Sequence, residues 1–322
     1  MNGTVLVTSR SFGRGRADCE RRLAAAGLRV VRGSTEHDLD ALRPVLADAA
    51  AWIAGTAPIT DEHLAAAPGL RVVARYGVGV DNVDLRAAAA RGVTVTNTPG
   101  ANSEAVADLA VALLLAALRG VVAGDRDVRG GDWRTRRGRE LGALTVGVVG
   151  LGRIGRGVAR RVHGFGADVL AYDPFVSPDG ADGVRPAGSV AELAERCDAV
   201  SLHAPGGTTL VDAAWLARVR PGAVLVNTAR ADLVDEAAVA EALRDGRLAA
   251  YAADTLAGEG RHGDSRAGGP LLAPDLADRV VVTPHIGAQT VEAVDRMGQG
   301  ATDAVLDALA GRTPAHVVPV PA

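Results

Sequence analysis

Along this chain, short runs rich in β-branched residues alternate with longer Ala-rich stretches whose apolar positions return at helical spacing. In the first third, the short runs predict strands at 5–7, 51–54, 72–74 and 93–95. A helix predicted over 17–26 stops at Gly27, the residue type that ends helices in a left-handed conformation. The middle of the chain predicts strands at 146–149, 169–172, 199–202, 223–226, 249–252 and 280–282. Helical segments at 154–165, 190–195 and 236–243 fill gaps between them, as crossovers between parallel strands do.

Between the two sets of strands, residues 102–118 predict a strong helix that Asn102 or Ser103 can cap. A last helix, over about 290–309, can return to the first set and make that domain discontinuous. The expectation is an α/β chain with two doubly wound parallel sheets. The Gly- and Pro-rich stretch 258–270 reads as a surface loop.

Composition narrows the classes. A chain of 322 residues with 48% hydrophobic and 23% charged residues builds a globular core of two-domain size. Its net charge of −3 offers no basic footprint for nucleic acid or an anionic membrane. The apolar run 109–118 is about half a membrane span and follows Asp108, so it reads as a core or interface helix. Cys19 and Cys197 lie far apart without metal-type spacing, which reads as two reduced thiols and no metal site. Met1-Asn2-Gly3-Thr4 does not begin a signal peptide, so a cytoplasmic location is expected. The sequence contains no lysine, which removes lysine Schiff-base chemistry and the P-loop.

The strand at 146–149 leads into Gly150-Leu151-Gly152-Arg153-Ile154-Gly155, and a helix follows. Strand, glycine turn and helix are the setting in which this spacing binds a dinucleotide. The first glycine permits the turn and the second lets backbone approach the pyrophosphate. The third packs the helix close, with its N-terminus aimed at the phosphates. Asp173 ends the next strand about 20 residues on, where a carboxylate accepts the ribose hydroxyls and repels a 2′-phosphate. NAD is the expected cofactor, and the second sheet is expected to be Rossmann-like.

Three further residues close successive predicted strands. Arg230 follows the fourth strand, Glu259 lies shortly after Asp254 at the end of the fifth, and His285 follows the sixth. A histidine near neutrality moves a proton at a hydroxyl, an arginine grips a carboxylate and a developing oxyanion, and a carboxylate orients the histidine.

Together these motifs resemble the D-isomer-specific 2-hydroxyacid dehydrogenases over nearly the whole chain. The matching stretches are 75–84, 97–102, 150–155, 227–230 and 283–287. The resemblance implies that Arg230 binds substrate carboxylate and carbonyl, that His285 is the acid/base, and that Glu259 hydrogen-bonds it. It implies that Asp254 contacts the nicotinamide, and that Ala204, Pro205, Thr228, Ala229 and Gly287 line the cofactor beside Gly150, Gly152, Arg153, Ile154, Gly155 and Asp173. It further implies substrate contacts at Arg75, Tyr76, Val78 and Gly79, with the amides of Val78 and Gly79 holding a carboxylate. The implied architecture is a flavodoxin-like substrate domain of 1–98 with 287–322, an NAD domain of 99–286, and a homodimer joined through the NAD domain.

The sequence departs from that family's pattern in places. Ala231 stands where Gly is usual, Gly260 where Pro is usual, Gly206-Gly207 where Leu-Thr is common, and Asp254-Thr255-Leu256 where Asp-Val-Phe is common. The stretch 261–266 adds two arginines, which read as solvated loop charges. Residues 75–84 look most like phosphoglycerate dehydrogenases, yet the loop 55–60 lacks an arginine to pair with a phosphate. The chain is also shorter than phosphoglycerate enzymes with a C-terminal regulatory domain. Two rival readings accompany the main one: a dehydrogenase of a phosphonate-type hydroxy acid, and an NAD-sensing, corepressor-like binding protein. His37, His63, His163, His262 and His316 lack a comparable arginine and carboxylate context and read as structural, while the resemblance places His203 at the adenine end.

Overall fold

The computed structural model describes residues 3–176, 183–258 and 269–320. The chain divides into two compact units, Met1–Asn102 with Ala288–Ala322, and Ser103–Gly287.

The first unit contains β1 (Gly3–Val7), β2 (Leu28–Arg32), β3 (Ala49–Ala54), β4 (Val72–Arg75) and β5 (Thr94–Thr96). They form one parallel sheet in the order β2-β1-β3-β4-β5, with the order reversing between β1 and β3. The crossovers are α1 (Cys19–Ala25), α2 (Leu39–Leu46), α3 (Asp61–Ala65) and α4 (Leu85–Ala90). Asp18, Asp38 and Asp84 each cap one of these helices by accepting first-turn amides. The core packs Leu6, Trp52 and Val73 from the sheet against Leu42, Leu46 and Leu64 from helices. Burial of such a side chain contributes roughly 1.5–3 kcal/mol.

The second unit opens with α5 (Ser103–Arg119) and α6 (Val121–Arg129). It continues as β6 (Thr145–Val149), α7 (Arg153–Gly164), β7 (Asp168–Tyr172), β8 (Val184–Pro186), α8 (Val190–Arg196), β9 (Ala199–Leu202), α9 (Ala213–Leu216) and β10 (Ala223–Asn227). It ends with α10 (Glu236–Arg244), β11 (Leu248–Ala253) and β12 (Val280–Val282). Its sheet is parallel, in the order β12-β11-β10-β9-β6-β7-β8. The order reverses between β6 and β9, which is where ligands of such sheets bind. The last helix, α11 (Val291–Leu309), belongs to the first unit, where it packs on β3 and β4.

Two strands escaped the hydrophobic pattern. β2 reads LRVVR and keeps only Leu28 fully buried, because it is an edge strand whose other residues reach solvent. β8 has three residues, ends in Pro186, and is the opposite edge of the second sheet, where a missing N–H costs no ladder bond. The second sheet therefore has one strand more than expected. Among the described residues, no single helix is long and apolar enough to cross a membrane, and no group of side chains could hold a metal ion.

Candidate active site

In the second unit, strand register builds one row across the sheet. Tyr172 pairs with Val149, Val149 with Leu202, Leu202 with Asn227, Asn227 with Ala253 and Ala253 with Val282. Each is the last or near-last residue of its strand, so the next residues line the carboxyl edge: Asp173, Gly150, His203, Thr228, Asp254 and Thr283. Amides of this row extend the ladder, as Gly150 N donates to Tyr172 O at 2.8 Å and His203 N to Val149 O at 2.7 Å. On the far side, Asp254 N donates to Asn227 O at 3.0 Å and Thr283 N to Ala253 O at 2.9 Å.

The three fingerprint glycines serve three separate steric demands. Gly150 has φ +89°, and a Cβ on it would lie 2.6 Å from the His203 carbonyl oxygen. A Cβ on Gly155 would collide with the Gly150 carbonyl oxygen. A Cβ on Gly152 would meet no protein atom within 4 Å, so the space above this glycine is open. Gly152 is also the N-cap of α7 and offers no side chain to its first amides, leaving them for an outside acceptor. Arg153 and Ile154 form the first turn beside it.

Asp173 accepts the amides of Phe175 (2.9 Å) and Val176 (3.1 Å) on Oδ1 and of Leu151 (2.7 Å) on Oδ2. The carboxylate is thus fixed beside the glycine turn, and Oδ2, with a single donor, keeps acceptor capacity for a ribose hydroxyl. Two polar atoms of the row, Thr228 Oγ1 and His203 Nδ1, are buried without a hydrogen-bond partner among the described residues. His203 Nε2 lies 2.9 Å from Ser201 Oγ, and burial of the ring lowers its pKa to about 4, so it is a neutral group at physiological pH. Open space over Gly152, a carboxylate at the ribose position and orphaned polar atoms along the row fit a bound dinucleotide. Ala204 and Pro205 follow His203 on the same edge.

The proposed catalytic side chains project from the far half of the row. Asp254 is 3% exposed and accepts three donors: the Thr283 hydroxyl and Ile286 N (2.8 Å) on Oδ1, and Gly287 N (2.7 Å) on Oδ2. This clamp wraps the backbone around His285, which adopts φ +53°, rare for a residue with a Cβ. A Cβ on Gly287 would approach the Asp254 carboxylate to 3.0 Å, a tight contact that glycine avoids. Arg230 closes the turn after β10. Buried Asn227 accepts the Ala229 amide (3.0 Å) and donates to the Arg230 carbonyl (2.8 Å), fixing the backbone from which the guanidinium extends. Glu259 lies outside the described residues, as do Gly260 and the two arginines at 261–266.

Two departures from the family pattern meet in space. Asp232, which follows Ala231, accepts the Gly207 amide at 2.6 Å. A Cβ on Gly206 would lie 2.8 Å from the same carboxylate and 3.2 Å from Arg230 Cγ. Asp232 was not singled out in the sequence, because its partner lies 25 residues away on a different loop.

In the first unit, the loop leaving β4 is turned so that its carbonyls face the protein. Thr98 N donates to Gly77 O (2.9 Å) and Asn97 Nδ2 to Val78 O (2.7 Å). The amides of Val78 and Gly79 donate to no group among the described residues. Arg75 lies buried beneath: its Nε donates to Asn82 (3.3 Å), and its Nη1 to the carbonyls of Ala54 (3.2 Å) and Tyr76 (2.9 Å). Asn82 in turn donates to Ala57 O at 2.7 Å. Tyr76 donates to Val294 O at 3.0 Å.

The loop leaving β3 is held from below by two histidines, His37 and His63. His37 Nδ1 faces Pro58 O (3.0 Å), an acceptor only, so this nitrogen carries the proton and Nε2 accepts from Thr8 Oγ1 (2.7 Å). Thr8 Oγ1 accepts from Trp52 Nε1 (2.9 Å). His63 Nδ1 accepts the Thr60 amide (3.2 Å), so its Nε2 donates to His37 O (2.8 Å). Burial lowers the His37 pKa to about 4.

A parallel sheet in this order, with a glycine turn, an open helix N-terminus and an acid on the second strand, defines a nicotinamide-dinucleotide-binding unit. Residues 111–287 match the D-isomer specific 2-hydroxyacid dehydrogenase, NAD binding domain, and the chain belongs to that family. It is 45% identical over 298 residues to D-3-phosphoglycerate dehydrogenase of Mycobacterium tuberculosis, covering 90% of this chain and 55% of that one. The chain thus spans about half the length of the phosphoglycerate dehydrogenases it matches. Glyoxylate reductase of Korarchaeum cryptofilum is 37% identical over 295 residues, covering 87% of this chain and 83% of that one. A solved structure from Thermus thermophilus superposes with a TM-score of 0.87 at 37% identity, covering 98% of this chain and all of that one.

Proposed function

We propose that the protein is an NAD-dependent dehydrogenase that interconverts a D-2-hydroxy acid and its 2-keto acid. The observation that carries this reading is the Asp254 clamp, which presents His285 on a constrained turn in the same row as the dinucleotide site. Bound NAD would supply the hydride acceptor or donor. His285 takes the hydroxyl proton in oxidation and returns it in reduction. Glu259 would orient its ring, and Arg230 would hold the carboxylate and the carbonyl oxygen as charge develops there. In this reading the first unit binds substrate, with the carboxylate on the amides of Val78 and Gly79 and Arg75 and Tyr76 shaping the loop.

The protein is proposed to be a cytoplasmic homodimer. The exposed Val121, Val122 and Val128 on α6 and the 82%-exposed Trp133 beyond it support a contact of the second unit with a second copy. The test is a 2-keto-acid panel followed by NADH absorbance, spanning phosphorylated, phosphono, short aliphatic and aromatic acids. Turnover lost in Arg230→Ala and His285→Ala, with NADH binding kept, is the expected result. Full turnover in both variants would end the assignment. No turnover by the wild type, with tight NADH binding and a co-purifying partner, would favour the corepressor-like reading.

A further inference from the structure

The loop leaving β3, residues 55–60, carries no charged side chain, and the chain leaving β1 lies against it. A Cβ on Gly55 would stand 2.7 Å from Thr8 O and 3.4 Å from Ser9 Cα. The next residue is Arg10. On its other side, the Phe12 ring stands edge-on to Tyr76 with centroids 6.0 Å apart. Tyr76 opens the loop that presents the amides of Val78 and Gly79. The β1-exit loop is therefore fastened to both of the other loops on the carboxyl edge. The place is the β1/β3 reversal of strand order, where doubly wound sheets take their ligands.

Within that loop, Ser9 and Ser11 are buried while the Arg10 side chain is 59% exposed. The backbone is anchored and the guanidinium is reachable. The loop carries Arg10, Arg14 and Arg16 and one carboxylate of its own, Asp18, which caps α1 and pairs with Arg21, while Asp295 of α11 accepts the Ala17 amide at 2.8 Å. Arg14 and Arg16 are exposed and have no ion-pair partner among the described residues. Arg10 rests against Glu36 at 2.7 Å, a single carboxylate that a doubly charged group can displace.

We propose that Arg10, in the positive field of Arg14 and Arg16, binds the tetrahedral dianion of a phosphorylated or phosphono 2-hydroxy acid whose carboxylate sits on the Val78 and Gly79 amides. The inference rests on the 2-hydroxy acid reading and adds the substrate class. It also supplies, from β1, the cation missing from the β3-exit loop. An arginine suits the task because its planar fork matches phosphate oxygens in pairs.

The test compares kcat/KM for 3-phosphohydroxypyruvate against hydroxypyruvate, and for phosphonopyruvate against pyruvate, at constant ionic strength. The two pairs separate an ester from a phosphonate. The wild type is expected to favour the phosphorus-bearing member of at least one pair tenfold or more. Arg10→Ala should cut that preference at least tenfold, Arg10→Lys should retain part of it, and Arg43→Ala, on the exposed face of α2, should leave it unchanged. A preference that survives Arg10→Ala, or no preference in the wild type, overturns the proposal. Should no keto acid be reduced, the 2-hydroxy acid reading falls, and calorimetric titration with inorganic phosphate decides the site instead. Saturable binding lost in Arg10→Ala upholds it, while binding that is absent from the wild type or equal in both proteins overturns it.

Discussion

The Asp254 carboxylate accepts the Gly287 amide at 2.7 Å, closing a loop of backbone around His285. With Ile286 N and the Thr283 hydroxyl on its other oxygen, Asp254 holds the histidine in a left-handed conformation that a non-glycine residue seldom adopts alone. Asp254→Asn keeps one acceptor oxygen and turns an N–H group toward a donor. Leaving a buried donor unpaired costs about 1–3 kcal/mol, and urea denaturation should show a loss in that range. NADH-linked turnover should fall on the order of a hundredfold or more, because the proposed mechanism makes His285 the acid/base, and a misplacement of about 1 Å loses that much. Unchanged turnover would show that the clamp does not position His285.

The fingerprint glycines make contrasting predictions. Gly155→Ala drives a methyl into the Gly150 carbonyl and should destabilise the fold by roughly 1–3 kcal/mol, read as a lower urea midpoint. Gly152→Ala meets no protein atom, so the midpoint should stay within about 1 kcal/mol of wild type once helix and cap preferences are counted. Its NADH affinity, followed by fluorescence, should nevertheless fall about tenfold or more, since the methyl fills space that backbone leaves for the pyrophosphate. Equal NADH affinity in wild type and Gly152→Ala would place the cofactor elsewhere.

The contact between Gly206 and Asp232 is open to a double-mutant cycle. Gly206→Ala alone places a methyl 2.8 Å from the carboxylate and should destabilise the chain. In the background of Asp232→Gly the same methyl keeps only the 3.2 Å approach to Arg230 Cγ, so the two changes should couple by about 1–2 kcal/mol. Additive effects in thermal or urea denaturation would remove the contact from the account.

Acid stability follows from the two histidines held neutral. His37 and His203 both have pKa values lowered from 6.5 to about 4 by burial. A depressed histidine favours the folded state while it stays neutral. That stability is therefore full above pH 6.5 and is lost as pH falls through the window from 6.5 to about 4. His37, only 4% exposed, contributes on the order of 3 kcal/mol across that window, and the half-buried His203 acts in the same direction. Unfolding free energy measured at pH 7 and pH 4.5 should drop steeply in the wild type. His37→Gln, which can still bond Thr8 or Pro58, should flatten the drop, and an unchanged pH slope in that variant would contradict the assignment.

Local chemistry made much of the architecture legible. The positions of Val146, Val169, Val200 and Val224 within short apolar runs located the central strands, because a strand buried on both faces needs an unbroken apolar sequence. Gly150, Gly152 and Gly155 with Asp173 announced the dinucleotide edge, because their spacing is dictated by one continuous strand–turn–helix. The edge strands β2 and β8 were not legible: Arg29 and Pro186 are tolerated there only because no neighbour pairs with the outer side.

The residues around the site divide along the same line. Arg230 and His285 were marked by the motifs that carry them, and the turns they occupy are built from adjacent residues such as Asn227 and Gly287. The meaning of Asp232, His37 and Arg10 came only from tertiary structure. Their partners are Gly207, Thr8 and Pro58, and Glu36, each brought close by strand order rather than by spacing along the chain. Gly55 and Gly206 show the reason most directly. Neither glycine has a positive φ; each is small because a distant segment, Thr8 in one case and Asp232 in the other, occupies the space its side chain would need. Sequence determined which segments become strands and where the dinucleotide turn lies, through interactions among near neighbours. Packing between segments decided which of the remaining polar residues meet, since those contacts depend on the order in which the strands assemble.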